Sequence, residues 1–91
     1  MRTVISKRFY QKLEKQIQFI SKDKPASAVR FRNDILDEID KIKNSTLSYK
    51  KSPYFENGDI REMIFQGYRV MFEIQKDRIV VFGFLKWENQ L

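Results

Sequence analysis

Arg61, Arg69 and Lys86, with the adjacent Lys50 and Lys51, are the side chains of this sequence suited to chemistry on phosphate. The chain contains no histidine and no cysteine. That removes the imidazole general base, the Ser-His-Asp triad, the cysteine nucleophile, thiolate or imidazole metal sites, and disulfides. No metal and no cofactor is expected. Any proton transfer has to use Lys, Arg, Tyr, Asp or Glu. The reaction open to such a set is metal-free RNA cleavage by the ribose 2′-OH. It needs a base for that hydroxyl, a cation for the charge on the phosphorane, and an acid for the leaving oxygen.

Each candidate also has a plainer role. Arg61 is placed to pair with Glu62 or Glu73 across a sheet. Lys50 and Lys51 suit solvated loop charges, and Tyr49 and Tyr54 suit loop packing. Trp87 offers a ring to stack on a base, or an apolar lid on the end of a sheet. Arg69 alternates with Tyr68, Val70, Phe72 and Ile74, which sets it on the face away from the core.

Among the elements that must position these residues, Thr3 to Ile5 is a short β-branched strand, and Ser6 supplies an N-cap hydroxyl. Phe9, Leu13, Ile17 and Ile20 recur at helical spacing, predicting an amphipathic helix to about Ser21. Pro25 suits the first turn of a second helix. Its stripe is Ala28, Phe31, Ile35, Ile39 and Ile42, and it should end near Lys43-Asn44. The short connection predicts an antiparallel helix hairpin.

Residues 44–58 are polar and irregular, long for a plain connection, and form a candidate functional loop. Three strands follow: Ile60 to Phe65, Tyr68 to Ile74, and Arg78 to Leu85, joined by tight turns at Gln66-Gly67 and Lys76-Asp77. Counting out from the first turn places Phe65 beside Tyr68 and Arg61 near Phe72. The last strand is apolar on both faces, as a central strand is. The expected fold is α+β, in the order β-α-α-β-β-β. An N-terminal strand precedes an antiparallel helix hairpin packed on one face of a small antiparallel sheet. Residues 1–91 are expected to make one domain.

Hydrophobic residues are 42% of the chain and aromatics 14%, with only 3 Gly and 2 Pro, which suits a packed fold rather than a disordered one. The formal net charge of +6 is concentrated at the front: residues 1–32 carry nine basic and two acidic side chains. Such a field attracts nucleic acid, an acidic protein or a ribosomal surface, or it is a solvated helix face. No run of ~20 apolar residues could span a bilayer, and the start of the chain lacks the apolar run of a signal peptide. A cytoplasmic protein is expected. The apolar stripe of the first helix is committed to the core, which argues against a membrane-surface role.

This order of elements resembles the RelE/ParE superfamily of toxins. Ile17-Gln18-Phe19-Ile20, followed by Pro25-Ala26-Ser27-Ala28-Val29-Arg30-Phe31, is similar to the family's helix pattern. Asp59-Ile60-Arg61-Glu62, Gly67-Tyr68-Arg69-Val70, Phe72-Glu73-Ile74 and Arg78-Ile79-Val80-Val81-Phe82-Gly83-Phe84 resemble its strands. The resemblance covers nearly the whole chain. It implies the toxin of a type II toxin–antitoxin system, with a cognate antitoxin whose C-terminal segment folds onto it. The RelE branch cleaves mRNA on the ribosome; the ParE branch blocks DNA gyrase and is not a nuclease.

A RelE-like reading makes Arg61, Arg69 and Lys86 the catalytic set. Target or nucleic-acid contacts are expected at Lys50, Lys51, Tyr54 and Trp87, and antitoxin contacts at Lys12, Lys15, Phe19, Arg30 and Arg32. The tail from Lys86 to Leu91 lacks the Arg-plus-terminal-Tyr ending of active RelE-like nucleases, and also the basic, His-containing ending common in ParE-like chains. The two long helices favour the ParE-like branch. A non-toxic nucleic-acid-binding module is the remaining alternative.

Overall fold

Ser6 sets where the first strand stops. In the computed structural model, which describes residues 1–86, Arg2–Ile5 form β1. Ser6 then gives its N–H to the Val81 carbonyl at 2.9 Å. Its hydroxyl accepts from Phe9 N at 3.1 Å, capping α1 (Lys7–Ser21). Phe9 and Leu13 are wholly buried, with Ile17 and Ile20 packed beside them. Pro25 opens α2 (Pro25–Lys41), which buries Ala28, Phe31, Ile35 and Ile39. The α-helix stops two to three residues before the expected Lys43-Asn44. Its stripe continues through Ile42, fully buried, in a 3-10 turn over Ile42–Asn44. Arg32 ties the helices together through Glu14 at 3.3 Å, a solvent-exposed contact worth at most about 1 kcal/mol.

Two further residues of strand, Lys50–Lys51, form β2. The sequence suggests a loop there, because a two-residue strand is too short to carry a periodicity. β3 (Ile60–Phe65), β4 (Tyr68–Ile74) and β5 (Arg78–Lys86) follow as expected. The sheet order is β1-β5-β4-β3-β2. It is antiparallel from β2 to β5, whereas β1 lies parallel to β5, so the sheet is mixed. β4 flanks β5 along most of its length and β1 flanks Arg78–Val81, so the first half of β5 is an interior strand, as its apolar sequence suggests.

The helices cover one face. Val70, Phe72, Ile79 and Val81 are fully buried beneath them, together with Tyr68, Met63 and Phe84. Phe84 stacks on Tyr68 with centroids 5.0 Å apart, and Phe9 meets Phe84 edge-on. Burying a side chain of this size stabilises by about 1.5–3 kcal/mol, so this layer supplies most of the driving force.

Candidate functional site

The second face of the sheet carries Glu62 and Arg69, and residues 52–59 fold over it. Glu62 and Arg69 sit on this face, because each alternates with residues that enter the helix-covered core. Arg69 Nη1 donates to Glu62 Oε1 at 3.1 Å. The Ser52 hydroxyl donates to Glu62 Oε2 at 2.9 Å and accepts from Tyr54 N at 3.3 Å. The Tyr54 ring lies 5.7 Å from the Arg69 guanidinium carbon, and Phe55 meets Phe82 edge-on at 5.8 Å. The Glu62 side chain is 0% exposed and that of Arg69 only 7%. A carboxylate placed this deep needs such partners, since an uncompensated buried charge is costly.

Arg61 faces the other way. Its pairing partner is Phe72, as the count from the turn gave. It takes neither Glu62 nor Glu73: Arg61 Nη1 donates to the Tyr49 carbonyl at 2.7 Å and to the Leu47 carbonyl at 3.5 Å. Glu73 accepts from Gln75 instead. Two consecutive residues thus fasten the same connecting segment from opposite faces, Arg61 at Leu47 and Tyr49, and Glu62 at Ser52. Between these fastenings Lys51 and Lys50 pair with Arg61 and Glu62 as the edge strand. Tyr49 packs edge-on against Phe72.

The other sequence-derived candidates are scattered. Lys86 ends β5, exposed, with Nζ 5.9 Å from the Phe19 ring centroid, and Phe19 is itself 63% exposed. Lys50 and Lys51 are exposed on the edge strand, and Tyr54 is exposed on the segment over the second face. Lys12 and Lys15 are exposed on α1, and Arg30 and Arg32 on α2. Trp87 lies outside the described residues. The geometry therefore brings Lys86 to Phe19 and Arg69 to Tyr54, but it holds Arg61 and Arg69 on opposite faces. Arg69 lies on the face away from the helices, as its alternation with Tyr68 and Val70 places it, and it is buried there because the 52–59 segment roofs that face.

Glu62 and Ser52 are not singled out by the sequence. The signal available is a carboxylate on the same strand face as Ile60 and Ile64, a polar residue on an otherwise apolar face. Among the described residues no group of three or more acidic side chains is gathered as a metal would need. No helix among them is long and apolar enough to cross a membrane.

Comparison with solved structures gives a match described as the chromosomal ParDE toxin–antitoxin system from P. aeruginosa. It has a TM-score of 0.81 over 97% of both chains at 13% identity, a likeness of fold. No curated protein matches the chain. The family model for the ParE toxin of the type II toxin–antitoxin system parDE matches residues 4–90. With that match spanning almost every residue of the mixed sheet and its helix hairpin, the chain belongs to the ParE toxin family, within the RelE/ParE superfamily.

Proposed function

We propose that this toxin acts by binding, not by catalysis: it inhibits growth by engaging DNA gyrase in the cytoplasm, and a cognate antitoxin neutralises it. One observation carries the choice over mRNA cleavage. The two arginines that a ribonuclease site would share are turned to opposite faces of the sheet and engaged in holding the chain, Arg61 by loop carbonyls and Arg69 by Glu62. Phosphoryl chemistry needs cation, base and acid converging on one phosphate, and this pair does not converge. Membership of the ParE family and the likeness to a ParDE system support an antitoxin partner. An acidic antitoxin segment would also balance the nine basic residues among the first 32.

The test is a gyrase supercoiling reaction run beside a cell-free translation mix read by primer extension. Binding to gyrase predicts lost supercoiling with intact mRNA. Codon-phased cuts that disappear in Lys86→Ala and Arg61→Ala variants would show a RelE-like nuclease instead. A chain that leaves growth, supercoiling and mRNA untouched when overproduced is no toxin at all; the non-toxic nucleic-acid-binding module would then be the reading to pursue.

A further inference from the structure

The first turn of α1 carries Lys7 and Arg8 and no acidic residue. The positive end of the helix dipole disfavours cations at that place. Arg8 is followed by Lys12, Lys15 and Lys22, at intervals of four, three and seven residues. Those intervals set the basic residues, together with Phe19, in one stripe along the helix, beside the buried line of Phe9 and Leu13. Every residue of the stripe is exposed, Phe19 by 63%. Lys86, at the end of β5, reaches the same stripe from another element, with Nζ 5.9 Å from the Phe19 ring centroid.

This arrangement works against the fold. Arg8 with Lys12, and Lys12 with Lys15, are like-charged neighbours at helical spacing, which weakens a helix. Elsewhere the chain pairs exposed cations: Arg32 meets Glu14, Lys41 meets Glu38, and Lys43 meets Asp40. Among the described residues no carboxylate meets Arg8, Lys12, Lys15 or Lys22. The acidic residue of α1, Glu14, is taken by Arg32 of α2. Folding does not explain a row of charges that opposes the dipole, repels itself and surrounds an exposed aromatic ring. A polyanionic partner does.

We infer that this stripe binds the phosphate backbone of double-stranded DNA. Arg8, Lys15 and Lys22 recur at intervals of two helical turns and span about 21 Å, the rise of about six base pairs. The helix backbone is hydrogen-bonded within itself, so the stripe offers side-chain cations and one ring and nothing else. A uniformly charged backbone asks for no more than that, whereas an acidic polypeptide is fixed by grooves and strand edges. Phe19 supplies an apolar contact to the sugars between the phosphates. The inference rests on the gyrase reading and deepens it: the toxin touches the DNA that gyrase carries as well as the enzyme.

The probe is a short fluorescein-labelled DNA duplex of mixed sequence, titrated with the intact toxin and read by anisotropy. Phosphate contacts from Arg8, Lys12, Lys15 and Lys22 predict that log K falls with log salt at a slope of about −3.6. Lys15→Gln with Lys22→Gln should bring the slope about two units closer to zero and weaken binding about tenfold or more at ~0.1 M salt. Glutamine forms helix about as well as lysine, so the folded state is retained. Phe19→Ala should weaken binding and leave the slope unchanged. Lys43→Gln with Lys76→Gln, an equal charge change off α1, should weaken it by less than about threefold. Wild-type affinity in the Lys15/Lys22 variant, equal losses in both double variants, or displacement of the duplex by an equal concentration of a glutamate-rich peptide overturns the assignment to DNA. In the supercoiling reaction the Lys15/Lys22 variant should need a higher concentration for the same inhibition. Lost supercoiling without any duplex binding overturns the inference and leaves the gyrase reading intact. Duplex binding with supercoiling untouched overturns the gyrase reading and leaves the stripe as a DNA-binding surface.

Discussion

Glu62 on β3 stands directly opposite Met71, yet its carboxylate is met by Arg69, two residues earlier on β4, at 3.1 Å. The contact is diagonal, the second-nearest arrangement across an antiparallel pair and one that a long arginine side chain can span. Because both groups are buried, its importance lies less in the attraction than in what removal of one partner leaves behind.

Truncating either partner should therefore be severe. Glu62→Ala or Arg69→Ala is expected to cost about 3–5 kcal/mol in urea unfolding. Glu62→Leu combined with Arg69→Met should recover most of that loss. A single variant with a wild-type urea midpoint would contradict the burial described for this pair.

Arg61 predicts a different signature. Its guanidinium holds the carbonyls of Tyr49 and Leu47, so Arg61→Ala should release residues 45–51 locally. The expected cost is about 1.5–3 kcal/mol, as for hydrogen bonds to a charged group. Amide exchange should accelerate in that segment while the helices keep their protection. Arg61→Lys should restore only part, since one ammonium does not reproduce the fork. Uniform acceleration throughout the chain would mean the residue supports the whole fold rather than the segment.

Much of this is legible in the sequence. The alternation of Tyr68, Val70, Phe72 and Ile74, with a two-residue turn before it, is enough to register Arg61 against Phe72. The stripes of α1 and α2 locate both helices to within a few residues. What is not legible comes from contacts with no local pattern. β2 exists because Arg61 and Glu62 hold it, not because Lys50 and Lys51 prefer to be a strand. The face bearing Arg69 looks open in sequence because the segment that roofs it is polar and irregular. The bulge at Phe82, between the pairs Phe72–Val81 and Met71–Gly83, is invisible in a run of apolar residues, although the lone glycine beside it is a usable sign of close approach.

That glycine supplies the next prediction. Gly83→Ala forces a methyl group into Met71 and should cost about 1–3 kcal/mol. Paired with Met71→Ala, the double variant should be less destabilised than the sum of the singles, a coupling read from a double-mutant cycle. Strict additivity would show that the two residues do not compete for space.

The turn between β3 and β4 has both central residues at positive φ, Gln66 at 48° and Gly67 at 85°. Gly67→Ala should cost about 1–2 kcal/mol for the left-handed backbone alone, as nothing else crowds the site. Gln66→Asn should raise the Tm, since asparagine tolerates that region better. A Gly67→Ala variant with unchanged Tm would require a different turn.

At the end of α2, the Lys41 ammonium donates to Glu38 at 2.8 Å. That hydrogen bond, followed by the charge of Glu38, raises the lysine pKa above its ordinary value. With the folded-state pKa raised, the contact contributes fully below the ordinary lysine pKa and is lost as pH rises through the folded value. The pair is solvent-exposed, so the effect on stability is small. Side-chain NMR should show Lys41 titrating above the usual lysine range, and Glu38→Gln should bring it back. A titration unmoved by Glu38→Gln would assign the shift elsewhere.

The parallel pairing of β1 with β5 has a consequence for how the protein comes into being. Residues 2–5 are made before both helices, and their partners at 78–81 only after every other strand of the sheet. Until then the earliest strand has no neighbour, and the aromatic layer lacks Phe84, which stacks on Tyr68 and meets Phe9. Contacts this distant in sequence form late and together. A nascent chain therefore stays without its finished shape until β5 has been made. The sheet therefore closes only once β5 is free to pair on both sides, rather than growing strand by strand.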